Sequence, residues 1–130
     1  MSGFLNLTPA TNIILENPFL AKRYPGEGSV AAIIDTGYEG FLSLPDSIFR
    51  KLGLNKLDGE RGKISLPNGT LSHTRGSYAI LVIPHMSLEL DGFIETFPGL
   101  DEIILGVDAL SKMRLLLDYC TRKIRIEKCP

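Results

Sequence analysis

The sequence predicts an all-β fold with two short helices, and three observations carry that prediction. Apolar residues occur in short runs that are either β-branched, as in VAAII and YAILVIP, or alternate with polar residues, as in MSLELDGFIETF and KIRIEK. Turn signals separate these runs, notably Pro25-Gly26-Glu27-Gly28 and Asn68-Gly69. Only two short segments, PDSIFRKLGL and GVDALSKM, set apolar residues at helical spacing.

At 130 residues the chain suits a single core, and 44% hydrophobic with 22% charged residues lacks the signature of disorder, so one domain over 1–130 is expected. The first 29 residues contain extended pieces, FLNL and NIIL, which Pro9, Pro18 and Pro25 are expected to interrupt. VAAII is apolar at consecutive positions, as in a strand covered on both faces, and GFLSLP resumes extended structure after a glycine-bounded turn. Pro45 and Asp46 then open a helix with Ile48, Phe49 and Leu52 at helical spacing and Gly53 as its stop.

In KISLPNGTLSH, Asn68-Gly69 suits the positive φ angles of a type I′ hairpin turn. YAILVIP and MSLELDGFIETF add strands. EIILGVDALSKM repeats an earlier order in miniature, a short apolar strand, a glycine and a helix holding Val107, Leu110 and Met113, which reads as a weak internal duplication. RLLLDY and KIRIEK close the chain, with Ile124 and Ile126 on one face and Lys123, Arg125 and Glu127 on the other.

A net charge of -1 supplies no basic surplus for phosphates, which argues against nucleic acid as a partner. The apolar runs fall well short of a membrane helix, and no charged segment followed by an apolar stretch opens the chain; an intracellular, cytoplasmic and soluble protein without a membrane partner is expected. Cys120 and Cys129 form no CxxC pair and have no histidine at zinc spacing, so free thiols are expected. His73 and His85 lack partners at ligand spacing, no phosphate loop is present, and no metal or organic cofactor is expected. The Asn-x-Thr triplets at Asn6 and Asn68 bear only on a secreted protein.

One chemical signal stands out: Asp35, a carboxylate at the end of an apolar strand, followed at once by Thr36 and Gly37. Alone, Asp-Thr-Gly is a common turn. Its context is richer. FLSLP follows the triplet, a hairpin spans Leu66, Pro67, Asn68, Gly69 and Thr70, and Ile104-Leu105-Gly106 opens the run ILGVDAL before a short helix. In this order, over roughly residues 30 to 127, the chain resembles the retropepsin-like aspartic proteases, with Val107 and Asp108 after the second glycine matching the nonviral, prokaryotic-type branch. Residues 1–29 match poorly.

The resemblance implies a closed, barrel-like acid protease fold whose monomers form a symmetric homodimer. It implies catalysis by Asp35, support of the active-site loop and dimer by Thr36 and Gly37, a substrate-covering flap at residues 66–70, and a structural brace at Ile104, Leu105 and Gly106. Peptide hydrolysis by this mechanism needs two carboxylates around one water, and one chain offers one Asp-Thr-Gly. Two charges about 3 Å apart repel by roughly 5 kcal/mol at an effective dielectric of about 20, so one shared proton must stay on the pair. Acid to mildly acid conditions should favour activity.

Tyr38 departs from the family pattern, where alanine or serine usually follows the triplet; its ring lines the pocket or packs beneath it. Glu39 reads as a solvated turn charge, and the bland alternative for Thr36 is a local turn hydrogen bond. The leading expectation is a homodimeric aspartic endopeptidase with peptide or protein substrates. The alternative keeps the fold as an inactive dimeric module that binds an extended peptide as an added strand; the remotest is an unrelated small β barrel with an accidental triplet.

Overall fold

Alternation of apolar and polar residues favours half-buried strands, and most of the chain follows that preference. The structure, a computed structural model, describes residues 2–57, 59–65, 69 and 71–130. Its strands are β1 (Ser2–Leu5), β2 (Thr8–Asn17), β3 (Lys22–Tyr24), β4 (Val30–Ile34), β5 (Leu42–Ser43), β6 (Glu60–Ser65), β7 (Leu71–Ile83), β8 (Leu88–Thr96), β9 (Ile104–Leu105), β10 (Met113–Asp118) and β11 (Lys123–Lys128). Two short helices, α1 (Asp46–Lys51) and α2 (Val107–Leu110), follow β5 and β9. Among the described residues no helix is long and apolar enough to cross a membrane.

β1 to β9 form one sheet, in the order β1-β2-β4-β9-β5-β8-β7-β6 with β3 against β2. A further pairing of β2 with β7, from Ile14↔Val82 to Glu16↔Ile80, joins distant parts of that order, so β2, β4, β9, β5, β8 and β7 close into a six-stranded barrel. Closure gives both edges of every barrel strand a partner. β10 and β11 form a separate antiparallel hairpin.

The barrel interior is filled by Ile13, Leu15, Ile34, Leu42, Leu81, Ile94 and Leu105, with Phe49 and Leu52 from the α1 segment and Ala109 and Leu110 from α2 packed against them. In α1 the sequence signals act as expected: Pro45 precedes the helix, Asp46 lies in its first turn, and Gly53, at φ +70°, lets the chain leave just after the cap at Leu52. β5 and β9 run antiparallel, Leu42↔Leu105 and Ser43↔Ile104, and each leads into a short helix. The suspected duplication thus has a spatial counterpart in this pair.

Three local expectations are corrected. Pro9 does not interrupt the first long strand: it is the second residue of β2, paired with Phe4 of β1 and one before the ladder with β4 begins at Ala10↔Ile33. VAAII is not covered on both faces, because a barrel has a single interior; Ala32 and Ile34 point inward and are buried, while Ala31 is exposed. The second arm of the hairpin and YAILVI are one continuous strand, β7, because β8 pairs along it from Arg75↔Thr96 to Ile83↔Leu88.

Candidate active site

β4 runs parallel to β9, with Ile33↔Ile104 and Ile34↔Leu105 in register. The Ile33 N–H donates to the Ile103 carbonyl at 2.8 Å and the Asp35 N–H to the Leu105 carbonyl at 3.0 Å. Asp35 is therefore the last residue of this run that β9 holds through the main chain, and the chain turns immediately beyond it. The Tyr38 N–H donates back to the Asp35 carbonyl at 3.2 Å, closing the turn.

Within the turn, Asp35 is half-buried and Thr36 and Gly37 are exposed. The Gly37 N–H donates to Asp35 Oδ1 at 2.8 Å, which orients the carboxylate from its own loop. A Cβ on Gly37 would sit 3.2 Å from that oxygen, a tight fit that glycine avoids.

The start of α2 meets this loop through three successive amides. Gly106 N–H donates to the Phe41 carbonyl at 3.0 Å, Val107 N–H to Tyr38 at 2.7 Å, and Asp108 N–H to Gly40 at 3.1 Å. Helix-start amides have no partner within the helix, and here the active-site loop supplies their acceptors. The approach is close: a Cβ on Gly106 would overlap the Gly40 carbonyl oxygen and lie 2.6 Å from Tyr38 Cδ2 and 2.8 Å from the Tyr38 carbonyl oxygen. Leu105 and Gly106 are thus hydrogen-bonded neighbours of the Asp35 loop, and Ile104 lies in register with Ile33 of β4 and Ser43 of β5.

Of the two placements that the sequence leaves open for Tyr38, the ring takes the packed one. It folds back over Gly40, where any Cβ would collide with it, and its hydroxyl donates to Glu95 Oε2 in β8 at 2.7 Å. Burial first, then the hydrogen bond and charge of Glu95, hold the phenol proton far above the ordinary tyrosine range, with the Ser43 hydroxyl acting in the opposite sense. Sequence reasoning does not single out Glu95, which lies 57 positions from Tyr38 and carries no local signal of the contact.

A concavity of ≈ 470 Å³ lies between this loop, β8 and α2, lined by Glu39, Phe41, Phe93, Glu95, Val107 and Asp108 among others; Asp35 is not in its wall. Of the expected flap, Leu66, Pro67, Asn68 and Thr70, and with them the type I′ turn, lie outside the described residues. The arms β6 and β7 are paired up to Ser65↔Leu71, and Gly69 is exposed at φ +84°. Among the described residues no group of three or more His, Cys, Asp or Glu side chains could hold a metal ion, and Cys120 and Cys129 are free and exposed.

Two solved structures share this architecture. The crystal structure of a retropepsin-like aspartic protease from Rickettsia conorii matches with a TM-score of 0.62 at 18% identity, over 95% of this chain and 92% of that one. This is a retropepsin-like fold. The retroviral protease-like domain of Ddi1 from Leishmania major matches with a TM-score of 0.54 at 13% identity, over 93% of each chain. Retropepsin-like architecture extends over most of the first 29 residues, which the sequence resemblance leaves aside, since β2 is a strand of the barrel.

No protein-family model matches the chain. An uncharacterized protein of Archaeoglobus fulgidus is 47% identical over 126 residues, covering 97% of this chain and 98% of that one, and the chain belongs to one family with it.

Proposed function

We propose that the protein is an aspartic endopeptidase acting as a symmetric homodimer, each chain supplying Asp35. The observation that carries this reading is the placement of Asp35: fixed by β9 at the end of a barrel strand, its carboxylate oriented by Gly37 N–H, and flanked by exposed residues that leave room for a second copy. Thr36 and Gly37 would meet their counterparts across the two-fold axis, while Ile104, Leu105 and Gly106 brace the loop from behind.

In the dimer one Asp35 is ionised and the other protonated, because two adjacent charges repel. The ionised carboxylate takes a proton from the water held between them as its oxygen attacks the peptide carbonyl. The protonated carboxyl donates its proton to the carbonyl oxygen, giving a neutral tetrahedral diol. As the diol collapses and the C–N bond breaks, the carboxyl that took the water's proton gives it to the departing nitrogen, the other carboxylate takes a proton from a diol hydroxyl, and the dyad again holds one proton. Residues 66–70 would close over an extended substrate and exclude water. Free, exposed Cys120 and Cys129 accord with a reducing, cytoplasmic setting.

The test is cleavage of unfolded proteins and peptide libraries between pH 3 and 7, beside Asp35→Asn. Wild-type protein should cleave, and the variant should lose at least about 10²-fold in rate, the scale of general acid–base catalysis. Equal cleavage by Asp35→Asn, or cleavage by a species that sediments as a strict monomer, refutes the proposal.

A further inference from the structure

Tyr38 joins the Asp35 loop to two of its neighbours, the start of α2 and β8. Its N–H bonds the Asp35 carbonyl, its carbonyl accepts the Val107 N–H, its ring covers Gly40 and Gly106, and its hydroxyl reaches Glu95. Glu95 belongs to the barrel wall, since β8 pairs there with β5 at Ser43 and with β7 at Gly76. The loop is therefore anchored twice, by main-chain bonds to the β9–α2 segment and by one side-chain bond to β8.

We infer that Tyr38 and Glu95 are a positioning pair, which sets the placement of the Asp35 turn against the barrel wall and so the separation of the two carboxylates in the catalytic dimer. This rests on the endopeptidase reading. The two Asp35 loops are related by a two-fold axis, so a displacement of one is repeated in the other and counts twice in their separation. Main-chain bonds hold the turn on its β9–α2 side; a phenol donating to a carboxylate, a short charge-assisted bond, ties the turn to β8 as well. Tyr38 therefore does in this chain what a small residue at the same position cannot.

The experiment compares Tyr38→Phe, Glu95→Ala and Glu95→Gln in the full-length protein. Tyr38→Phe keeps the ring over both glycines and loses only the hydroxyl. It and Glu95→Ala should each lower kcat about 10- to 100-fold, the range expected of a small misplacement of reacting groups, with KM little changed. The double variant should be no worse than either single change, because the two groups act through one bond. Glu95→Gln, whose amide oxygen still accepts the phenol proton, should recover most of the rate lost in Glu95→Ala.

The pH titration of the Asp35 carboxyl, followed by carbon NMR, is a readout independent of turnover. It should be displaced in Tyr38→Phe and close to wild type in Glu95→Gln. A Tyr38→Phe protein with wild-type kcat and an unmoved Asp35 titration overturns the inference, as does a Glu95→Gln protein as impaired as Glu95→Ala. If wild-type protein shows no Asp35-dependent cleavage, the endopeptidase reading falls, and the titration still decides whether the pair positions Asp35.

Discussion

Replacement of Gly106 by alanine should destabilise the protein for a reason specific to this fold. At Gly106 the backbone has φ -103° and ψ 178°, a conformation open to any residue, so the substitution carries no dihedral penalty. The cost lies in space. The new carbon would overlap the Gly40 carbonyl oxygen and approach the Tyr38 carbonyl oxygen to 2.8 Å, and backbone oxygens cannot rotate aside as a flexible side chain can. The loop must retreat, stretching three hydrogen bonds of 2.7 to 3.1 Å between it and the start of α2. Overpacking of this kind costs about 1–3 kcal/mol, and weakened bonds add about 0.5–1.5 kcal/mol each when lost, so about 3 kcal/mol is expected. For a domain of this size about 3 kcal/mol lowers Tm by roughly 10 °C. Thermal melting by circular dichroism measures it, with Gly3→Ala in β1 as the control. There the added carbon meets nothing within 4 Å, and a loss under about 1 kcal/mol is expected. A Gly106→Ala protein melting within about 2 °C of wild type, on the same scale, refutes the crowding argument.

The Asp46 carboxylate accepts from Arg50 Nε at 2.7 Å and from Arg75 Nη2 at 2.9 Å, linking α1 to β7. Its hydrogen bond from Arg50 leads in holding its pKa below the usual carboxylate range. The groups are exposed enough that Asp46→Asn should cost less than about 1 kcal/mol at neutral pH. Because the folded pKa lies below the unfolded value, that contribution is present above about pH 4 and is lost as pH falls through the folded value; urea unfolding at pH 7 and pH 3 should show the two proteins converging in acid. Tyr38 should ionise only above the ordinary tyrosine range in an alkaline absorbance titration, and Tyr38→Phe should remove that late phase. With its folded pKa raised, its contribution to stability is present below about pH 10 and is lost as the pH rises beyond it. Buried Asn17 donates from Nδ2 to the Leu52 carbonyl at 2.8 Å and accepts the Phe19 N–H at 3.1 Å, so Asn17→Ala should cost about 2 kcal/mol in urea unfolding, and a loss under about 0.5 kcal/mol contradicts that role.

Much of the fold is legible in local pattern. KIRIEK alternates, and Ile126 is buried while Lys123 and Arg125 are exposed; Pro45, Asp46 and Gly53 bracket a helix where they predict one. Legibility fails where partners decide. Pro9 suggests a break, yet it sits inside β2, paired with Phe4 of β1 and one residue before the β2–β4 ladder begins. VAAII suggests two covered faces, yet curvature into a barrel leaves Ala31 outside. Asp35 is visible as a candidate from its three-residue motif, whereas Glu95 is not, because only the barrel brings β8 beneath the loop.

What the sequence by itself determined is the succession of strands and short helices and the position of one carboxylate at a strand end, since both follow from side-chain period and turn chemistry within a few residues. What only the tertiary structure decided is the closure of the barrel through β2 and β7, the inward turn of Tyr38 to Glu95, and the demand for glycine at position 106 by crowding and not by dihedral angle. These are contacts between residues tens of positions apart, and their energy depends on a distance in space that no local pattern encodes.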